Sequence, residues 1–300
     1  MPRVKRLTTG LIGALVISSV VAGCGQNAIA PTTRPSIKKS AITQIYPTSA
    51  GTEAAGGPSQ GTLWVLAGTQ QDQALYPLPL SQHTIGHGIP LSAASRTVAL
   101  LKGQTLAVGL ASTKVGAIQW LSDPFTKVQA LCPLPGPVLA VAAGPHGQHL
   151  FVLYQAPNQV MVRVVPRLGT TLTATWAVPS STVSLAPGPK GAHVYTLTST
   201  GQVTEWPVAS PHPALTQFVV GQSGYSLALN PQGTLLYALK GRGPIRNIAV
   251  VSLATESVLR VLPAPAASRQ ILMNATGKTL YAVVGTSVYG NIQTITGLGA

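Results

Sequence analysis

The chain has 300 residues, 45% apolar and only 8% charged, so it can build a large core while its surface relies on Ser, Thr, Gln, Gly and Pro. Lys and Arg total 19 against five acids, but they are scattered rather than gathered into a basic tract interleaved with aromatics, which excludes a nucleic-acid partner. Two cysteines exclude a disulfide framework.

The charge balance reflects scarce acids more than abundant bases. A surface poor in carboxylates loses little stability in acid, because few native carboxylates must be protonated there. An acidic external habitat is therefore expected. Attraction to anionic envelope polymers or lipid headgroups is a second expectation from the same balance.

Residues 1–23 read as a cleaved leader. Arg3, Lys5 and Arg6 form its positive start, residues 11–21 its apolar stretch, and Ala22-Gly23 the small residues a peptidase groove accepts. The apolar stretch is shorter than the roughly 20 residues of a comfortable membrane span. Val21-Ala22-Gly23-Cys24 resembles the bacterial lipobox. That resemblance implies a diacylglyceryl thioether on Cys24, which becomes the mature N-terminus, and so a lipid-anchored protein of the cell membrane facing outside the cytoplasm. Two acyl chains hold stably where one would not. Residues 24–40, rich in Pro, Thr and Ser, read as a flexible tether.

From about residue 41 to residue 300 the chain repeats. An apolar strand, a turn and a second strand recur, with Trp64, Ala107, Phe151, Tyr195, Tyr237 and Tyr281 at equivalent positions spaced 43, 44, 44, 42 and 44 apart. Pro145-His-Gly147, Pro189-Lys-Gly191 and Pro231-Gln-Gly233 supply the turns, with Pro fixing φ and Gly admitting a positive φ. Third strands begin near Gly116, Asn158, Gly201 and Ile245, and fourth strands near Leu172, Leu215 and Ser257. Four strands per repeat make a propeller blade. The expected fold is all-β, a β-propeller of four-stranded antiparallel blades, six in number with seven as the alternative. About 22 strands follow Gly61, two short of six full blades. The β-prone segment Ile42–Tyr46 is expected to pair with the last blade and close the ring.

The repeat resembles the blades of the YVTN-type propeller family, which includes lactonase-like members: an apolar strand, then Ser/Asn-Pro-x-Gly, then an aliphatic-Tyr pair. It departs from that family in lacking the usual Asp in the turn and the frequent Asn after the Tyr-containing strand. The resemblance implies a propeller and leaves the activity open between binding and hydrolysis.

A search for chemistry finds no catalytic constellation. Glu53 lies in a Gly- and Ala-rich stretch, and Asp72, Asp123, Glu205 and Glu256 share no phase of the repeat, so no acid pair or calcium cluster is expected. His83 and His87 are spaced i, i+4 in a loop without an accompanying Glu, and His146 sits in a hairpin turn. His149 and His193 hold the same repeat position, which suggests a structural role. No acid is expected to orient a histidine, and no metal or other cofactor is expected. Cys132 reads as a small buried hydrophobe. The candidate ligand-binding residues are Lys240, Arg242 and Arg246, in the loop between second and third strands of one blade, and Lys114 in the equivalent loop of an earlier one. Such loops share a face with the channel mouth, where a basic rim suits a protein or an anionic envelope polymer. The expected function is a membrane-anchored, non-catalytic binding module. The alternatives are a lactonase-like hydrolase and a structural or assembly lipoprotein of the envelope.

Overall fold

Strand follows strand because apolar residues recur every second position and Pro or Gly interrupts each run. The computed structural model describes residues 41–47, 62–68, 73–79, 86–92, 95–101, 105–112, 115–122, 127–170, 173–274, 276–285 and 290–298, all within the unit Thr32–Ala300. The leader, Cys24, the tether, Glu53, Asp72, His83, Lys114 and Asp123 lie outside the described residues.

Six antiparallel sheets form a six-bladed β-propeller, not the seven-bladed alternative. Blade 1 holds β1 (Ala41–Pro47), β2 (Thr62–Gly68), β3 (Gln73–Pro79) and β4 (Ile89–Leu91). Blade 2 holds β5 (Ser95–Leu101), β6 (Thr105–Ala111), β7 (Gly116–Ser122) and β8 (Val128–Leu134). Blade 3 holds β9 (Val138–Ala143), β10 (His149–Gln155), β11 (Val160–Pro166) and β12 (Ala174–Val178). Blade 4 holds β13 (Thr182–Pro187), β14 (His193–Thr198), β15 (Gln202–Pro207) and β16 (Thr216–Val219). Blade 5 holds β17 (Gly224–Leu229), β18 (Leu235–Lys240), β19 (Arg246–Ser252) and β20 (Ser257–Ala264). Blade 6 holds β21 (Ser268–Met273), β22 (Leu280–Gly285) and β23 (Gly290–Ile295).

Within each blade the strands pair in chain order, and the first strands β1, β5, β9, β13, β17 and β21 lie beside one another in turn around the axis. The ring closes differently from the sequence expectation. Segment 42–46 does form a strand, but it pairs with β2, Tyr46 opposite Trp64 and Ile45 opposite Val65, and so supplies the first strand of blade 1. Pairing with the next strand in sequence costs far less chain entropy than reaching the far end of the domain. Closure is then by packing: Leu63, Val65 and Leu78 of blade 1 form one cluster with Tyr281 and Val283 of blade 6.

The core lies between blades, which explains why second strands are apolar on both faces. On β10, Leu150 and Val152 pack toward blade 2 while Phe151 and Leu153 pack toward blade 4. The repeat-marker aromatics Tyr195, Tyr237 and Tyr281 each face the following blade, filling the wedge between diverging sheets. Blade 2 has Ala107 at that position, and the bulk comes from its cross-strand neighbour Trp120, fully buried and donating its indole N–H to the Gly169 carbonyl at 3.2 Å. Cys132 is buried on β8, its thiol facing the Thr170 carbonyl at 3.7 Å, and burial raises the thiol pKa.

The hairpin turns interlock as well. His146 and Gly147 are both left-handed, at φ 60° and 59°. Gly191 has φ +70°, and a Cβ there would come within 2.9 Å of the Pro145 ring of the preceding blade. Gly233 meets Pro189, and Gly277 meets Pro231, in the same way. The Pro-x-Gly motif therefore sets local turn geometry and blade-to-blade spacing together.

Candidate functional site

Every first strand carries a β-bulge at the same phase. The pairing register skips Thr43, Arg96, Leu139, Val183, Tyr225 and Arg269. A bulge leaves its residue out of the ladder and redirects the side chain. Five of these residues, Arg96, Leu139, Val183, Tyr225 and Arg269, line one central cavity of about 720 Å³. The side chain of Thr43 is outside the described set.

In blades 2, 4 and 5 the residue after the bulge ties its blade to the next. Thr97 Oγ1 accepts the Val141 N–H at 3.2 Å, Ser184 Oγ the Leu227 N–H at 3.1 Å, and Ser226 Oγ the Ile271 N–H at 3.2 Å. These bonds fix the first strands against each other, so the channel wall is rigid where the bulged side chains leave it.

Because the blades follow chain order, the channel is two-sided. Arg96 on blade 2 and Arg269 on blade 6 flank blade 1. Leu139, Val183 and Tyr225 on blades 3, 4 and 5 stand across from them. Neither Arg96 nor Arg269 has a hydrogen-bond or ion-pair partner among the described residues, and both are exposed to the channel. Deeper in, Ala99, Ala142, Ala186 and Ala228 keep the bore open. The described lining includes no carboxylate and no histidine.

Of the rim residues expected from sequence, Lys240, Arg242 and Arg246 sit at the connection between β18 and β19, none of them lines the cavity, and Lys114 is outside the described residues. Gly224 at the start of β17 pairs with Lys240 at the end of β18, so the loop 241–245 emerges on the face where the bulges sit. Arg246 stacks on the Tyr225 ring with its guanidinium 4.0 Å from the centroid, donates from Nε to the Ser268 carbonyl at 3.0 Å, and reaches the Gly243 and Ile245 carbonyls. Its guanidinium is engaged in holding Tyr225 and blade 6 in place. Arg242 is exposed, and Lys240 runs along the Gly221 backbone. Arg96 and Arg269 escaped the sequence search because they are isolated bases within apolar strands. The signal that could have found them is their shared repeat phase, one residue before the position that holds Thr97, Ser184 and Ser226.

Glu205 corrects a second expectation. No acid was expected to orient a histidine, yet the Glu205 side chain is only 15% exposed and sits 2.8 Å from His193 Nδ1. Tyr195 Oη donates to the same carboxylate oxygen at 2.9 Å. Tyr195 stands directly opposite Glu205 in the β14–β15 ladder, and His193 lies two residues back on the same face. This contact is made across strands, so linear spacing did not reveal it. Burial, then the hydrogen bond and charge of Glu205, push the Tyr195 phenol pKa well up. None of the three lines the central cavity. His149 opens β10 as His193 opens β14, at equivalent positions. Among the described residues no cluster of three His, Cys, Asp or Glu could hold a metal.

No protein-family description matches this sequence, and no curated protein is detectably similar to it. Among solved structures, hydrazine synthase of Kuenenia stuttgartiensis aligns with 80% of this chain and 81% of its own, at a TM-score of 0.60 and 12% identity. At that identity the likeness concerns the fold alone.

Proposed function

We propose that the protein is a lipoprotein anchored through Cys24 to the outer side of the cell membrane, and that its propeller is a non-catalytic binding module for an anionic partner, either a protein or an envelope polymer. The observation that carries this reading is the chemistry of one face. Arg96 and Arg269 line the channel, Lys240 and Arg242 stand on the same face at the connection between β18 and β19, and no described residue of the channel lining is acidic. A concave, rigid site with one sign of charge and low-dielectric walls attracts anions. Lys114 belongs to the same proposed rim by its place in the repeat. The turn motif supports a relationship to YVTN-type propellers. Their lactonase-like chemistry would call for acid, histidine and arginine side chains together at the mouth, and the described lining offers arginine alone.

The test has two arms. In cells, Cys24→Ser should release the protein from the membrane fraction. Full-length protein in non-ionic detergent should bind dextran sulfate and not neutral dextran. Lys240→Gln with Arg242→Gln should weaken that binding by about three- to tenfold at low salt. Membrane retention of the serine variant would refute the anchor. Unchanged polyanion binding in the double variant would refute the rim. Stable co-purification of a partner from detergent extract would instead favour an assembly role.

A further inference from the structure

We infer that the channel itself takes a single small amphipathic carboxylate, its head held by Arg96 and Arg269 and its apolar body laid against Leu139, Val183 and Tyr225. This deepens the channel-face reading and rests on it, taking from that face only the channel residues Arg96 and Arg269 and not Lys240 or Arg242. Three observations select the ligand class.

The first is that both guanidiniums reach the channel from the same phase of two blades flanking a third, without a protein partner among the described residues. Planar guanidinium forks suit a carboxylate, and two of them enclose one head more tightly than a scattered rim can. The second is that the opposite wall is apolar. Leu139 and Val183 are 42% and 38% exposed although they face the inside of the ring, so unsatisfied apolar surface stands across from the positive charge. An ion such as phosphate or acetate would leave that wall wet, and a neutral hydrocarbon would leave the arginines unpaired. The third is size: a cavity of about 720 Å³ lies within the range of roughly 300–1,000 Å³ typical of sites for small organic ligands, and cannot admit a folded partner. Tyr225, clamped by Arg246, offers a fixed ring on which a flat apolar body can stack.

The test is isothermal titration of full-length protein in non-ionic detergent, with detergent alone as the blank, using 2-naphthoate, its neutral counterpart 2-naphthalenemethanol, and acetate. The expected result is one saturable site for 2-naphthoate, at least tenfold tighter than for either comparison ligand. Arg96→Gln with Arg269→Gln should lower that affinity tenfold or more, and Leu139→Ser with Val183→Thr should lower it several-fold. Both pairs are at exposed positions, and an unchanged unfolding midpoint confirms that they fold. Lys240→Gln with Arg242→Gln should leave 2-naphthoate binding intact. Equal binding of the acid and the alcohol, or binding that survives loss of both arginines, would overturn the inference. So would absence of a saturable site in protein that still binds dextran sulfate, and in that case the rim reading would stand.

Discussion

Ser226 Oγ accepts the Ile271 N–H of the next blade in a buried contact, and Ser184 makes the equivalent bond to Leu227. Replacing Ser226 by Ala removes the acceptor and leaves a buried amide short of a partner, at a cost of about 1–2 kcal/mol. Urea unfolding should show that loss; an unchanged midpoint would mean that these hydroxyls do not couple the blades. Glycines give a second contrast. Gly191 and Gly243 both have positive φ, but only Gly191 has a neighbouring ring, Pro145, where a Cβ would sit. Gly191→Ala should therefore cost about 1 kcal/mol more than Gly243→Ala, which bears the backbone strain alone. At this scale the sequence was half legible. Trp64, Phe151 and Tyr195 announced their equivalence because large aromatics at a constant period are rare. Arg96 and Arg269 did not, because the bulge that turns them into the channel is a feature of pairing register, and register has no side-chain signature of its own. Glu205 hid for a related reason: its partners His193 and Tyr195 are near only across a ladder.

The strands were legible where period two and the Pro-x-Gly turn coincided, as in β9–β10, β13–β14 and β17–β18. The role of β1 was not, since a lone β-prone segment carries no information about which edge it joins. Its pairing with β2 makes it the inner strand of blade 1, beside β5 on one side and β21 on the other. Tyr46→Pro would remove an amide from that ladder, where Tyr46 stands opposite Trp64. The expected cost of about 3 kcal/mol corresponds to a fall in thermal midpoint of roughly 6–12 °C. A midpoint unchanged within a degree or two would show that the ring does not depend on this strand.

Across the whole molecule the titration behaviour should be lopsided. Burial raises the phenol pKa of Tyr154, Tyr195, Tyr237 and Tyr281. Each phenol is held neutral in the fold and ionises near pH 10 when unfolded, so its contribution is present below about pH 10 and is lost as pH rises beyond it. On the acid side only five carboxylates exist to be protonated. Stability measured by urea unfolding should stay nearly level from pH 7 to pH 3 and fall steeply above pH 10; a steep loss below pH 4 would contradict the reading of the acid-poor surface. The sixfold architecture was legible because its period is even from Trp64 to Tyr281, whereas the function of the channel depended on which single side chain each blade turns inward. Amide hydrogen exchange of the full-length protein, with and without bound dextran sulfate, addresses that face directly. Protection should appear in the opening residues of β5, β17 and β21 and in loop 241–245. Protection confined to the outer strands, or to the turns at 145–147, 189–191 and 231–233, would place the functional surface elsewhere and contradict the account.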